Sequence, residues 1–156
     1  MEDTWKEGIL MSSWKFDHIG VVVKDLDEAN AYYRSLGFGD FVPNVSEAAT
    51  DRKVYGQPAN NLKLRGAETQ LGSIRFEMLE PIEGESIQKE FLMKKGEGIN
   101  HIGFVVEDLD KEVAQLEAKG FPVVSSGKVP PRECFAYIDT TRVGGVMIEL
   151  IKYSTM

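Results

Sequence analysis

Ile99-Asn100-His101-Ile102-Gly103-Phe104-Val105-Val106-Glu107-Asp108-Leu109-Asp110 decides how the chain is read. Phe16-Asp17-His18-Ile19-Gly20-Val21-Val22-Val23-Lys24-Asp25-Leu26-Asp27 says nearly the same thing 83 residues earlier. The likeness continues to Leu36-Gly37-Phe38 and Lys119-Gly120-Phe121, with 11 identities over the paired 23-residue stretches. Such self-similarity marks a duplicated structural unit. His18 and His101, the two histidines of the chain, occupy the same repeat position. Each is followed by a glutamate inside an apolar strand, Glu77 in Ile74-Arg75-Phe76-Glu77-Met78-Leu79 and Glu149 in Val146-Met147-Ile148-Glu149-Leu150-Ile151.

Working outward, Ile19, Val21 and Val23 make one aliphatic strand face suited to lying under a helix. His18 and Gly20 fall on the other face, where the glycine is expected to leave empty space, and the second copy repeats this with His101 and Gly103. Asp25 and Glu28 have the spacing of a capping box, so a helix begins there. Leu26, Ala29, Tyr33 and Leu36 mark its buried stripe, and Gly37 is placed to end it in the left-handed conformation. The second helix begins at Asp108, buries Leu109, Val113 and Leu116, and ends at Gly120. Phe38 to Val45 reads as a strand, and strands resume around 61–65 and 70–79. Ser86 is placed to cap a short helix through Phe91 and Met93. The remaining strands are expected at 121–124, 133–140 and 145–152.

From histidine to glutamate the first module spans 59 residues and the second 48, and most of the extra 11 lie between Asn44 and Asn61. That stretch is polar and reads as a substrate-facing loop that shapes access without contributing to the fold. The chain divides into an N-terminal extension (1–14), a first βαβββ module (15–81), a linker with a short helix (82–98) and a second βαβββ module (99–152). The fold class is α+β: one half alone buries its sheet face poorly, whereas two related by a pseudo-twofold close on each other.

Composition narrows the function. A net charge of −7 argues against nucleic acid or an anionic membrane as the main partner. No run approaches the roughly 18 apolar residues of a membrane span. The polar, acidic start is not expected to be a secretory signal. A single cysteine, Cys134, allows no internal disulfide and fits a reducing compartment, most simply the cytoplasm.

His18, Glu77, His101 and Glu149 supply one nitrogen and one carboxylate donor per repeat, a set suited to one divalent first-row ion. Four protein ligands leave one or two positions for substrate. In strand parity both glutamates face away from uniformly apolar rows, Ile74-Phe76-Met78 and Val146-Ile148-Leu150. Tyr137 is a candidate to line the pocket with Phe135 and Asp139, and Arg142, in a polar turn, to bind a substrate carboxylate or phosphate. Cys134 has no histidine left over to activate it, so it is not read as a nucleophile.

The His18-Ile19-Gly20 and Asp25-Leu26-Asp27 pair, Glu77 before Leu79-Glu80-Pro81, the second His101-Ile102-Gly103-Phe104, and Gly144-Gly145 before Ile148-Glu149-Leu150 together resemble the vicinal oxygen chelate superfamily. Within it the likeness is greatest to glyoxalase-like and methylmalonyl-CoA epimerase-like proteins. The resemblance covers about residues 15–152. It implies paired βαβββ modules in one curved mixed sheet around a metal cleft, with ligands at His18, Glu77, His101 and Glu149, and a homodimer. The metal would be Zn, Ni, Co, Mn or Fe.

The function expected is a metal-dependent isomerase, epimerase or lyase that stabilises an enolate or enediolate on a small carbonyl, hydroxy-acid or acyl-thioester substrate. Glu149 or Glu77 would serve as base. Epimerases of this kind carry a Glu-Glu-Gln-Gly-Val run after the second strand, absent here, where Glu47 or Asp51 would have to substitute. The alternatives are a ring-cleaving dioxygenase of the same superfamily and a metal-free small-molecule binding or resistance protein.

Overall fold

A computed structural model describes residues 13–44, 49–129 and 132–154. In chain order the elements are β1 (Lys15–Val22), α1 (Leu26–Ser35), β2 (Val42–Pro43), β3 (Thr50–Val54), β4 (Gln57–Pro58), β5 (Lys63–Leu71) and β6 (Ile74–Glu83). They continue with α2 (Ile87–Lys95), β7 (Gly98–Val105), α3 (Leu109–Ala118), β8 (Val123–Val129), β9 (Arg132–Ile138) and β10 (Met147–Tyr153). The strands form one mixed sheet in the order β2-β5-β6-β1-β7-β10-β9-β8-β3-β4. It is a curled half-barrel of α+β class, and none of the described helices is long and apolar enough to cross a membrane.

Helix starts follow the capping residues. The Asp25 side chain accepts from the Glu28 N–H, Asp108 from Lys111 and Ser86 from Lys89. Such caps satisfy backbone donors that have no partner inside the helix. Gly37, at φ 92°, turns the chain after α1. α1 lies on the aliphatic face of the first half, where Val21, Val23, Leu26, Phe76 and Met78 form a cluster packed by Ala29 and Tyr33. α3 covers the equivalent cluster of Val106, Leu109, Ala136, Ile138 and Leu150. Leu36 is 58% exposed and is not part of the buried stripe: it is the C-cap residue, one position beyond the last helical residue Ser35.

The halves meet at β1 and β7, which pair antiparallel within one chain. β6 joins β1 in parallel and β10 joins β7 in parallel, so β6-β1-β7-β10 is the symmetric centre of the sheet. Two readings of the first half need correction. The strand expected over Phe38 to Val45 is only Val42–Pro43. The Asn44 to Asn61 stretch is not simply a loop: its β3 crosses to the far edge, pairs antiparallel with β8, and carries β4 beyond it. This insertion contributes to the fold. The N-terminal extension up to Ser12 and the residues around Glu47 lie outside the described residues. Trp14 is described, donating to Glu112 at 2.9 Å and packing against Phe104.

Candidate metal centre

Registers of the four central strands place the site residues in two rows. His18, Gly103 and Glu149 lie side by side on β1, β7 and β10, while Glu77, Gly20 and His101 lie side by side on β6, β1 and β7. Each row puts a glycine next to the histidine of the other repeat. A Cβ added at Gly20 would lie 1.9 Å from the His101 ring, and one at Gly103 would lie 2.0 Å from the His18 ring. The glycines therefore do not leave the empty space expected from the sequence. Each is a floor on which the opposite histidine rests, and a methyl group would evict the ring.

His18, His101, Glu77 and Glu149 are almost wholly buried, and one donor atom from each lies within 4.8 Å of all the others. His18 Nε2 stands 3.0 Å from His101 Nε2, 3.1 Å from Glu77 Oε2 and 2.8 Å from Glu149 Oε2. His101 Nε2 is 3.3 Å from Glu77 Oε2 and 3.4 Å from Glu149 Oε2. Ligand bonds of about 2.0–2.2 Å place neighbouring donors about 3–3.5 Å apart, so the four heads are already spaced as ligands around one ion.

The hydrogen bonds behind the rings fix which nitrogen faces inward. His18 Nδ1 lies 2.7 Å from Asp17 Oδ2, and His101 Nδ1 lies 3.0 Å from Asn100 Oδ1. Both oxygens accept, so each Nδ1 carries a proton and each Nε2 turns a lone pair to the centre. Two imidazole lone pairs and two carboxylate oxygens then converge in a buried space, an arrangement that requires positive charge between them. A divalent ion fits that requirement, and protons are the substitute without one. Burial alone would lower the His18 pKa, but the Glu77 charge and hydrogen bonds to Asp17, Glu149 and Glu77 hold it well above the ordinary 6.5. His101 is raised against the same burial by Glu149 and Glu77. Glu77 is pulled well below 4.5 despite burial, chiefly by the His18 charge and hydrogen bonds from both rings.

Asp17 and Asn100, at equivalent repeat positions, were not singled out by the sequence reading. In a regular strand each would point away from the histidine beside it. Both are the extra residue of a β-bulge: the β1–β7 register passes from Phe16 to His18 opposite Phe104 and Gly103, and from His101 to Ile99 opposite Gly20 and Val21. A bulge re-aims one side chain, and here the two bulges turn an oxygen acceptor onto each Nδ1. Repeat position was the available signal, since both residues carry a side-chain oxygen just before the histidine.

Further support lies on the first half. Arg75 donates to Asp17, and at 2.7 Å to Glu68. Asn44 Nδ2 donates to Glu68 at 2.6 Å and to Glu77 Oε1 at 2.7 Å. One guanidinium thus stands behind His18 through Asp17 and behind Glu77 through Glu68 and Asn44. Tyr137 is buried, lines the cavity with Glu77 and Glu149, and meets the His101 ring edge-on at 4.9 Å.

Arg142 is exposed in the turn between β9 and β10 and is not among the residues that line the cavity beside Glu77 and Glu149. Asp51 is exposed and pairs with Lys128 at 3.3 Å, away from the cluster. Cys134 packs with the α3 cluster on the opposite face of the sheet. Glu47 lies outside the described residues.

A duplicated βαβββ sheet with a His–Glu pair from each half defines the class. A family model of the Glyoxalase/Bleomycin resistance protein/Dioxygenase superfamily matches residues 17–138, and the chain belongs to that superfamily. Two curated relatives are similar along most of the chain. The Bacillus subtilis (strain 168) protein YqjC is 27% identical over 143 residues, covering 87% of this chain and 90% of its own. Bovine mitochondrial methylmalonyl-CoA epimerase is 26% identical over 139 residues, covering 87% of this chain and 73% of its own. The crystal structure of methylmalonyl-CoA epimerase from Mycobacterium tuberculosis superposes with a TM-score of 0.63 at 23% identity, covering 96% of this chain and 95% of that one. That last likeness is one of fold.

Proposed function

We propose that the chain is a divalent-metal-dependent isomerase of epimerase type, or a related lyase. Its substrate would be a small compound with an acidic C–H beside a carbonyl, a 2-oxo acid or an acyl thioester. One observation carries the reading: two Nε2 lone pairs and two carboxylate oxygens converge within 4.8 Å, and their rings are held by acceptors behind them. His18, His101, Glu77 and Glu149 would hold the ion, which when bound supplies a Lewis acid for the substrate carbonyl. Glu77 as a fourth donor favours this reading over a ring-cleaving dioxygenase, whose iron is held by two histidines and one carboxylate. Similarity to the mammalian epimerase adds an acyl-CoA thioester to the substrates worth testing.

The chain's own groups divide the work. Asp17 and Asn100 hold the two imidazoles in the ligating tautomer. Asn44 pins Glu77, which suits it to stay a ligand. Glu149, opposite Tyr137 across β9 and β10, is assigned the proton transfer: its carboxylate removes the hydrogen beside the carbonyl, leaving an enolate. Epimerisation then needs an acid on the other side of the enolate. Among the described residues Glu77 is kept as a ligand by Asn44 and Asp51 is turned to Lys128, so no carboxylate is assigned to that role.

The test begins with the metal content of purified protein. Proton–deuterium exchange follows on a panel of 2-oxo acids, acyl-CoA thioesters and hemithioacetals. With the substrate so identified, Glu149→Gln is expected to lower kcat about 10²–10⁴-fold while the ion stays bound, since the amide keeps a coordinating oxygen but cannot take a proton. Glu77→Gln is the control and keeps more activity. Full metal occupancy with unchanged kcat in Glu149→Gln overturns the assignment.

A further inference from the structure

The concave face has a roof that comes from outside both repeats. Helix α2 begins at Ser86, whose side chain accepts from the Lys89 N–H at 3.0 Å and fixes the first turn. Its two buried residues are the first two, Ile87 and Gln88. Ile87 packs among Val124, Val129, Phe135, Tyr137 and Ile151, which pins that turn over the second half of the sheet. Gln88, next to it, lines the same small cavity as Glu77 and Glu149, together with Arg52 from β3 and Ser125 from β8.

Gln88 is 3% exposed, yet its carboxamide makes no hydrogen bond to any of the described residues. A buried amide with two donors and an acceptor is ordinarily satisfied, and leaving it unpaired is unfavourable. α2 would bury an aliphatic residue here more readily. The space between roof and floor is about 20 Å³, room for about one oxygen-sized group. Arg52, drawn below the ordinary arginine pKa by burial and partly restored by Tyr137, adds positive charge to the same wall. Amide and guanidinium therefore face two carboxylates across a gap one oxygen wide.

We propose that Gln88 is a substrate-recognition residue: its carboxamide donates to a carbonyl or carboxylate oxygen of a 2-oxo or 2-carboxy-acyl substrate held against Glu77 and Glu149, beside Arg52. This rests on the isomerase reading, which is what places an oxygen-rich substrate in that gap. It makes specificity a property of the linker helix, while the repeats supply the chemistry.

Calorimetric titration of the zinc-loaded protein with oxalate, a planar pair of neighbouring carboxylates, tests it, with acetate as the comparison ligand. The wild type is expected to bind oxalate. Gln88→Leu, close in volume, is expected to bind it about tenfold more weakly, the loss of roughly one hydrogen bond, with zinc content and melting temperature nearly unaltered. Gln88→Glu is expected to weaken oxalate further by repulsion while still holding zinc. Oxalate affinity unchanged in both variants overturns the role of Gln88 and leaves the isomerase reading standing. If Gln88→Leu fails to fold, Gln88→Glu decides, and wild-type affinity there overturns the proposal. A wild type that retains no divalent ion, or retains zinc without binding oxalate, removes the isomerase reading and this inference with it.

Discussion

Behind His18 stands a carboxylate, and behind His101 an amide. Asp17 is tied to Arg75, so the first half carries an ionic chain that runs on through Glu68 and Asn44 to Glu77. Asn100 is fully buried and its Nδ2 has no partner among the described residues. The cross-strand neighbour differs too: Glu77 lies opposite Glu68, Glu149 opposite Tyr137. The two halves match in the donors they point at the centre and differ in what holds those donors. Symmetry is kept where the donors must meet, and relaxed where several supports serve equally well. The first half is a polar scaffold that immobilises its carboxylate, whereas the second sets its carboxylate beside an aromatic ring.

The symmetric part is broken most severely at the glycines. Gly20→Ala or Gly103→Ala puts a methyl about 2 Å from an imidazole atom in a place with no slack. Overpacking of an ordinary core costs roughly 1–3 kcal/mol. Here the expected result is at least that, plus loss of stoichiometric metal, because the displaced ring is one of the four proposed ligands. Metal analysis and urea unfolding of both variants measure it. Equal damage supports a symmetric centre, and a variant that keeps full metal shows that its half can yield.

The asymmetric part is tested at Asp17. Asp17→Asn makes the supports of the two histidines alike. Replacing a partner behind a metal-binding histidine typically lowers metal affinity about 10–100-fold, and that range is expected in a chelator-competition titration. No change in affinity means that the carboxylate serves Arg75 and the fold, with no effect on the ligand strength of His18.

How far the site can be read in the residues depends on which rule governs each one. His18, His101, Glu77 and Glu149 were legible because repeat position and strand alternation both placed them on one face. Asp17 and Asn100 were not, because a bulge suspends that alternation where they sit. Asn44 follows a strand of two residues, too short to show a period. β3 is polar, and its partners on β8 lie 71 to 78 residues away by chain, from Val54–Ser125 to Thr50–Lys128. Gln88 sits in a helix with no apolar stripe, so nothing in the pattern of that segment marks it as buried. The helix starts are legible in their caps, and Leu36 shows the limit, since periodicity does not fix the residue at which a helix stops.

The raised histidine pKa values make a prediction about pH. His18 and His101 are raised above 6.5 in the metal-free fold. Their contribution to stability is complete below about 6.5 and is lost as pH climbs through the raised values. Glu77 is depressed, so its contribution is present above 4.5 and is lost as pH falls through its lowered value. The metal-free protein is therefore expected to be most stable between these limits and to melt at progressively lower temperature as pH climbs above 6.5 through the raised histidine values. Metal binding must displace the shared protons, so the rise in melting temperature on adding zinc should grow over that same span. Melting curves with chelator and with zinc, from about pH 6 to about pH 9, test both slopes. A flat curve for the metal-free protein means that no proton bridges the four heads.

The smallest effect expected separates the two helix starts. Asp25 and Asp108 are equivalent caps, each accepting from the third N–H of its helix. α1 has a second acceptor, because the Leu26 N–H donates to Glu80 Oε2 at 3.2 Å. Glu80 lies three residues beyond Glu77, and the residue three beyond Glu149 is Lys152, which cannot accept a hydrogen bond. Removing an N-cap side chain costs about 0.5–2 kcal/mol. Asp25→Ala is expected near the low end, since Glu80 still faces the helix start, and Asp108→Ala nearer the middle or above. Each aspartate also places negative charge at a helix N-terminus, worth about 0.3–1 kcal/mol at low salt, so the comparison is made at high salt, where that part is screened. Urea midpoints of the two variants and of Asp25→Ala combined with Glu80→Gln measure the difference. The double variant should fall to the level of Asp108→Ala, and equal losses in the two single variants would show that Glu80 contributes nothing to the first helix.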